Sequence, residues 1–422
     1  MKFVFLLLCI WLTEADAFAT TSFRLHRPSY HGMAEQPAEH TAEARAESSI
    51  TTKKENVSLS RPVARVETFA RLPVWPVVNG VVLWMIQQLF GAATAAAWED
   101  WITGRVCPNF FAYPETSPFV MLVHHCHSFA AWDPIRCLQA TFFPEGFSAH
   151  LHAGFVTVTY ILDGGFVHRD SVGVRQTYGN ALHSENHGVL TGNTEHKHTQ
   201  WLHTGSGILH EEMFDNTIRS WWKPTRQELY QLWLNVPISE KMNEPMTVLL
   251  GGSEETPLIQ DATSRTLVLA GNFAGTTAAA PIHSPLCILH VQIEPGGTWI
   301  YNEEPHFETA LLYVRKGNGL ACAETPIPVH SVAYIEPGIQ GPIVLQNTDR
   351  DTVVDFLFLA GDPLREPCVS SGSMVLSNSL EINQAYSDYQ RGMFGMPWSH
   401  KLSDDEWKKH IEANPQRTNL FR

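Results

Sequence analysis

His150-Leu151-His152-Ala153-Gly154-Phe155-Val156-Thr157-Val158-Thr159-Tyr160-Ile161-Leu162, closed by Asp163-Gly164-Gly165, reads as an extended run of β-branched and aromatic residues ending in a tight turn. Runs of the same texture recur outward from it, at Phe119–Val123, Leu229–Leu234, Thr266–Ala270, Cys287–Ile293, Ala310–Val314 and Val353–Leu359, each bounded by Gly, Pro, Asn or Asp. Short strands at this spacing, with little helical periodicity, predict an all-β chain of sandwiches or jelly-roll barrels. The runs fall into two blocks, 116–236 and 262–367, with a loop-like linker at 237–261. Lys316-Gly317-Asn318-Gly319 follows the strand ending at Val314 much as Asp163-Gly164-Gly165 follows Leu162, which points to a diverged duplication. The last segment, 368–422, reads as surface helices over Glu381–Arg391 and Ser403–Ala413.

The 422 residues carry 29 basic and 43 acidic side chains, a formal charge of −14. Bulk-charge binding to nucleic acid is disfavoured, because such affinity rests on counterion release by cationic surfaces. Seven scattered cysteines with no C-x-x-C pair give neither a zinc-finger spacing nor a dense disulfide framework.

At the start, Lys2, the apolar run Phe3–Leu12 and the small-residue site Ala15-Asp16-Ala17 have signal-peptide anatomy over 1–17. A leader then runs over 18–71. It begins at Phe18, and 18–34 holds Arg24, Arg27 and several Ser/Thr but no acid. This junction resembles the bipartite presequence of algae with complex plastids, which implies plastid delivery; ordinary secretion is the alternative. A helical extension is expected over 72–115. Its uncharged stretch Leu72–Trp98 could cross a membrane or lie on its surface, and the proline, glycine and amide content favours a helix packed on the folded domain.

In an extended chain, residues two apart share a face, so His150 and His152 can grip one ion. His210-Glu211-Glu212 repeats that logic. His150, His152, His210 and Glu212 make three imidazoles and a carboxylate, a donor set for Fe(II), Mn(II), Ni(II), Cu(II) or Zn(II). The window 150–212 holds nine of the 21 histidines, so His168, His183, His187, His196, His198 and His203 leave alternative clusters open.

These blocks, together with His124-His125-Cys126-His127, Asp133-Pro134-Ile135-Arg136, His168-Arg169-Asp170-Ser171, Gly205-Ser206-Gly207-Ile208-Leu209-His210, Leu232-Trp233-Leu234-Asn235 and Ala360-Gly361-Asp362-Pro363, resemble the pirin family of bicupins. The resemblance implies two cupin barrels packed face to face, with Fe(II) in the first held by His150, His152, His210 and Glu212, and no metal in the second. It assigns His124–His127 to barrel packing. It also implies one of two roles, a quercetin 2,3-dioxygenase-like enzyme or a non-enzymatic, iron-responsive coregulator, and does not choose between them. In the first, a small flavonol is the substrate and Glu212 is both ligand and base. Leu151, Ala153 and Val156 depart from the family's Pro, Arg and Glu, implying a more apolar pocket rim. An insertion at Leu182–His196 reads as a surface excursion, with a loop that covers or extends the pocket as the alternative, and Glu303–Glu308 is the second block's one ligand-like cluster.

Overall fold

The computed structural model describes residues 60–69, 72–73, 78–95, 105–129, 144–179, 190, 197–215, 225–302 and 307–417. The signal and transit readings, the alternative ligands His183, His187 and His196, and most of the 303–308 cluster lie outside the described residues.

Each barrel is a seven-stranded antiparallel sheet facing a four-stranded one. In the first, the large sheet runs in the order Met246–Leu250, Thr199–His203, Phe155–Asp163, Thr225–Asn235, Phe119–Phe129, Arg105–Phe110, Leu72–Pro73. Its small sheet is Gly146–His152, Ile208–Phe214, Gly165–Asp170, Arg175–Gly179. The second barrel repeats this plan, with Val63–Thr68, Ser331–Ile335, Thr309–Lys316, Val354–Gly361, Leu286–Ile293, Ser264–Ala270 and Leu258–Gln260 facing Thr298–Tyr301, Ile343–Asn347, Leu320–Cys322 and Thr325–Pro326. The two are cupins, and the expected duplication is visible in strand order.

The domain boundaries need correction at both edges. Val63–Thr68, expected in the leader, pairs with Ser331–Ile335 and completes the second barrel, and Arg61 is buried with its guanidinium donating to the carbonyls of Phe307 and Glu336. Met246–Leu250, expected in the linker, completes the first barrel beside Thr199–His203. Arg105–Phe110, expected in the extension, pairs with Phe119–Phe129. Sheet edges expose unpaired N–H and C=O groups, so a short outside segment of either texture is recruited to cover them. The helix Val78–Phe90 exposes Trp84, Met85, Leu89 and Phe90 rather than packing them on a barrel. Among the described residues, no helix is long and apolar enough to cross a membrane.

The large sheets pack on one another. Along Phe155–Asp163 the alternation sends Val156, Val158, Tyr160 and Leu162 into this seam with Leu269, Ile288, Leu311 and Leu359. Both faces of the strand are therefore buried, which is why it reads as continuously apolar. Of the expected surface excursion only Leu190 is described, and it departs from that reading: its side chain enters the seam and its N–H donates to Gln292 Oε1 at 2.9 Å.

Polar groups cross the seam in a duplicated relay. Tyr313 pairs with His124 Nδ1 at 3.0 Å and His124 Nε2 with Glu228 at 3.0 Å. At the equivalent positions, Tyr160 pairs with His290 Nδ1 at 2.7 Å and His290 Nε2 with Asp355 at 3.0 Å. Arg315, almost fully buried, joins the halves at 3.2 Å from both carboxylates. Burial alone would raise the carboxyls, but Arg315 and the adjacent histidines hold both well below the usual range.

The C-terminal helices Ser379–Gln390 and Asp404–Ala413 are not simply surface elements. Ile382, Ala385, Trp398 and Trp407 pack with Leu151, Ala153 and Leu209 on the outer face of the first barrel's small sheet. Beneath them, Arg169 pairs with Glu211 and donates to Leu402 O at 2.8 Å.

Candidate metal centre

Alternation along three neighbouring strands decides which side chains enter the first barrel. Gly146–His152 pairs with Ile208–Phe214, placing His150 opposite His210, and Ile208–Phe214 pairs with Gly165–Asp170, placing Glu212 opposite His168. Residues 150, 152, 210, 212 and 168 point inward, while 151, 153, 209, 211 and 169 meet the C-terminal segment.

Three of the four expected residues cluster directly, and Glu212 joins them only through His210, in a second group that includes His168. Donor atoms of His150, His152 and His210 lie within 4.8 Å of one another, as do those of His168, His210 and Glu212. His152, His210 and Glu212 are buried and His150 is the partly exposed member. The Glu212 carboxylate is fixed by three donors: Thr159 Oγ1 at 2.9 Å and Tyr178 OH at 3.1 Å on Oε1, and Gln231 Nε2 at 3.1 Å on Oε2.

The histidine tautomers fit a metal. His150 Nδ1 donates to Ser148 O at 2.8 Å and His152 Nδ1 to Ser373 O at 3.1 Å. A carbonyl only accepts, so both Nε2 atoms are left with lone pairs, and these stand 3.1 Å apart. Burial lowers all three ligand imidazoles, His152 and His210 far below their ordinary range, so protonation does not readily relieve that contact. Both ring nitrogens of His210 are buried without a partner. A cation shared by these nitrogens removes the lone-pair conflict and satisfies an otherwise orphaned imidazole.

His168 is the neighbour that sequence reading left among alternative clusters. Its Nε2 meets Asp170 at 3.0 Å, its Nδ1 has no hydrogen-bond partner, and its ring centre lies 5.4 Å from that of His210. The signal that could have found it is the cross-strand position opposite Glu212. His198 hydrogen-bonds Thr199 and Thr256 instead, and His203 faces the seam. His124 serves the relay, and His125 packs on Phe147 and Phe214.

The expected apolar rim is corrected by the same alternation. Leu151 and Ala153 lie under the C-terminal segment and Val156 lies in the seam, so none of the three lines the centre. Its wall is aromatic for another reason: Phe155 and Trp233 stand 4.6 Å apart and 5.2 and 5.3 Å from His152.

Matching registers locate the corresponding positions in the second barrel. Trp299 pairs with Leu345 as His150 does with His210, and Asn347 pairs with Leu320 as Glu212 does with His168. Trp299, Tyr301, Leu345 and Asn347 thus stand where the four candidate ligands stand in the first barrel, and Trp299 and Tyr301 join an aromatic core with Phe273, Phe356 and Phe358.

A duplicated cupin with one polar, ligand-bearing barrel and one filled by aromatic side chains is a bicupin. Pirin matches residues 103–234 and the pirin C-terminal cupin domain matches 288–395. The pirin-like protein of Solanum lycopersicum is 32% identical over 262 residues, 61% of this chain and 80% of that protein. Human pirin is 30% identical over 272 residues, covering 62% and 83%. A provisionally named quercetin 2,3-dioxygenase of Pseudomonas aeruginosa is 31% identical over 251 residues, covering 59% and 79%. The solved quercetin 2,3-dioxygenase from Acinetobacter baumannii shares the fold at a TM-score of 0.58 and 22% identity, over 79% of this chain and 98% of that one. The chain belongs to the pirin family.

Proposed function

We propose that the chain is a metal-dependent dioxygenase that opens a flavonol-type substrate of the quercetin class, with Fe(II) held by His150, His152, His210 and Glu212. The observation that carries this reading is the convergence of bare Nε2 atoms at His150 and His152 with the unpartnered ring of His210 beside Glu212. The name of the Pseudomonas aeruginosa relative supports the substrate class. Fe(II) bound there would supply open coordination positions at which an oxygen-donor substrate and O2 are brought together.

The chain's own residues do the rest. Trp233, partly exposed beside His152 and backed by the buried Phe155, offers a flat apolar face suited to a planar polyphenol. Glu212 accepts the flavonol hydroxyl proton, and Thr159, Tyr178 and Gln231 hold its carboxylate in place. Partly exposed His150 marks the open side of the centre.

Anaerobic reconstitution with Fe(II), followed by O2 uptake on adding quercetin, tests the reading. Turnover is expected from the full chain. Uptake no greater than that of Glu212→Ala would reject it, and iron binding without uptake would favour the non-enzymatic, iron-responsive role. Delivery to a plastid through residues 1–34 belongs to the same proposal, and imaging the chain with and without that segment checks it.

A further inference from the structure

The seam carries a second group of ligating side chains, on the opposite face of the sheet from the first centre. In the strand Thr199–His203, Trp201 and His203 face the seam. Glu240 lies in the turn after the first barrel's strand Thr225–Asn235, and His283 lies in the loop just before the second barrel's strand Leu286–Ile293. One donor atom from each of His203, Glu240 and His283 lies within 4.8 Å of the other two.

Several independent features point to a ligand between them. His203 is only 4% exposed, and its Nε2 and that of His283 are buried without a hydrogen-bond partner. The backbone of Glu244 bonds the other nitrogen of His203, so the carbonyl takes the Nδ1 proton and leaves a lone pair on Nε2. The two rings stand 4.5 Å apart. Glu240 Oε2 accepts from Asn243 Nδ2 and pairs loosely with His283 Nδ1 at 3.6 Å. Leaving one buried polar nitrogen unpaired costs about 1–3 kcal/mol, and here two such nitrogens sit beside an oriented carboxylate.

We propose that His203, His283 and Glu240 form a second divalent-cation site, of the zinc class, that clamps the two barrels across their seam. Two imidazoles and a carboxylate are a zinc donor set, with water completing the tetrahedron. The side chains of His283 and Glu240, 20% and 33% exposed, leave the open side for that water and for entry of the ion. The ligands come from both barrels, so binding resists their separation and raises the stability of the folded pair.

The test uses the full chain carrying His150→Ala and His210→Ala, which removes the first centre, stripped with a chelator and titrated with Zn2+ and with Co2+ as its spectroscopic stand-in. The expected result is one Zn2+ per chain, visible Co2+ absorption of a four-coordinate site and a higher melting temperature with Zn2+. Adding His283→Ala or Glu240→Gln should weaken Zn2+ binding by more than about 100-fold, with the metal-free melt little changed. No retained Zn2+, or retention unaffected by either substitution, would overturn the proposal. If the background variant fails to fold, the chain with its first centre intact gives the same answer: two ions per chain expected, falling to one with His283→Ala, against an unchanged count as the contrary result.

Discussion

His152 Nδ1 donates to the backbone carbonyl of Ser373 at 3.1 Å, so a ligand in the first barrel is oriented by a segment 221 residues further along the chain. That segment is pressed onto the barrel by Trp407, Trp398 and Phe394. It approaches so closely that a Cβ on Gly154 would stand 2.3 Å from Val375 O. The C-terminal segment therefore bears on the candidate ligand His152 through the Ser373 carbonyl and on its neighbours Leu151 and Ala153 by packing.

Trp407→Ala should cost about 3–5 kcal/mol, since it empties a fully buried site. It should also weaken metal binding by about 10–100-fold by loosening the Ser373 carbonyl against His152. Thermal melts and a competitive chelator titration measure the two effects. A destabilised variant with undiminished metal affinity would disconnect the segment from the centre.

Arg315→Met leaves Glu228 and Asp355 buried without their shared cation. A loss of about 3–5 kcal/mol is expected. Combining it with Glu228→Gln and Asp355→Asn should recover part of that loss, because the uncompensated charges are gone. Urea unfolding of the single and triple variants checks both statements.

Stability should fall with acid in two stages. Burial lowers His125 to about 3 and His198 to about 4, against about 6.5 in an unfolded chain. Their contribution is complete above 6.5. As pH falls from 6.5 towards those folded values, the unfolded chain takes up protons that the fold refuses, at about 1.4 kcal/mol per group and pH unit. Glu228 and Asp355 are depressed in the fold, so their contribution is present above about 4 and is lost below it. Melting temperatures from pH 8 to 3 should decline from 6.5 and steepen below 4, with His125→Phe flattening the upper limb.

Removing residues 1–71 should destabilise the second barrel relative to removing 1–59. The longer truncation takes away Arg61 and the strand Val63–Thr68, baring the edge at Ser331–Ile335. Equal melting temperatures and equal aggregation for the two truncations would show that the strand contributes nothing.

The barrels and the clustering of the candidate ligand histidines were legible in the sequence because both depend on period-two alternation within single strands. His150 and His152 share a face wherever the chain is extended, and Glu212 follows His210 by the same rule. The edge strand Val63–Thr68 was not legible: it is short, its Arg65 and Glu67 are charged, and its burial pattern has no regular apolar face. Nor did the effect of Leu151, Ala153 and Val156 follow from their closeness in sequence to the ligands, since alternate residues on a strand serve opposite faces. The Ser373 contact and the Tyr–His–carboxylate relay join residues far apart in the chain, which no local pattern encodes.

In the proposed function, His150, His152, His210 and Glu212 hold one transition-metal ion inside the first barrel. Anomalous diffraction at the iron edge, from crystals of the full chain loaded with Fe(II) without oxygen, measures this directly. A strong peak is expected about 2.0–2.3 Å from His150 Nε2, His152 Nε2, one ring nitrogen of His210 and a Glu212 oxygen. No peak among those atoms in iron-loaded crystals, or iron held elsewhere in their place, would contradict it.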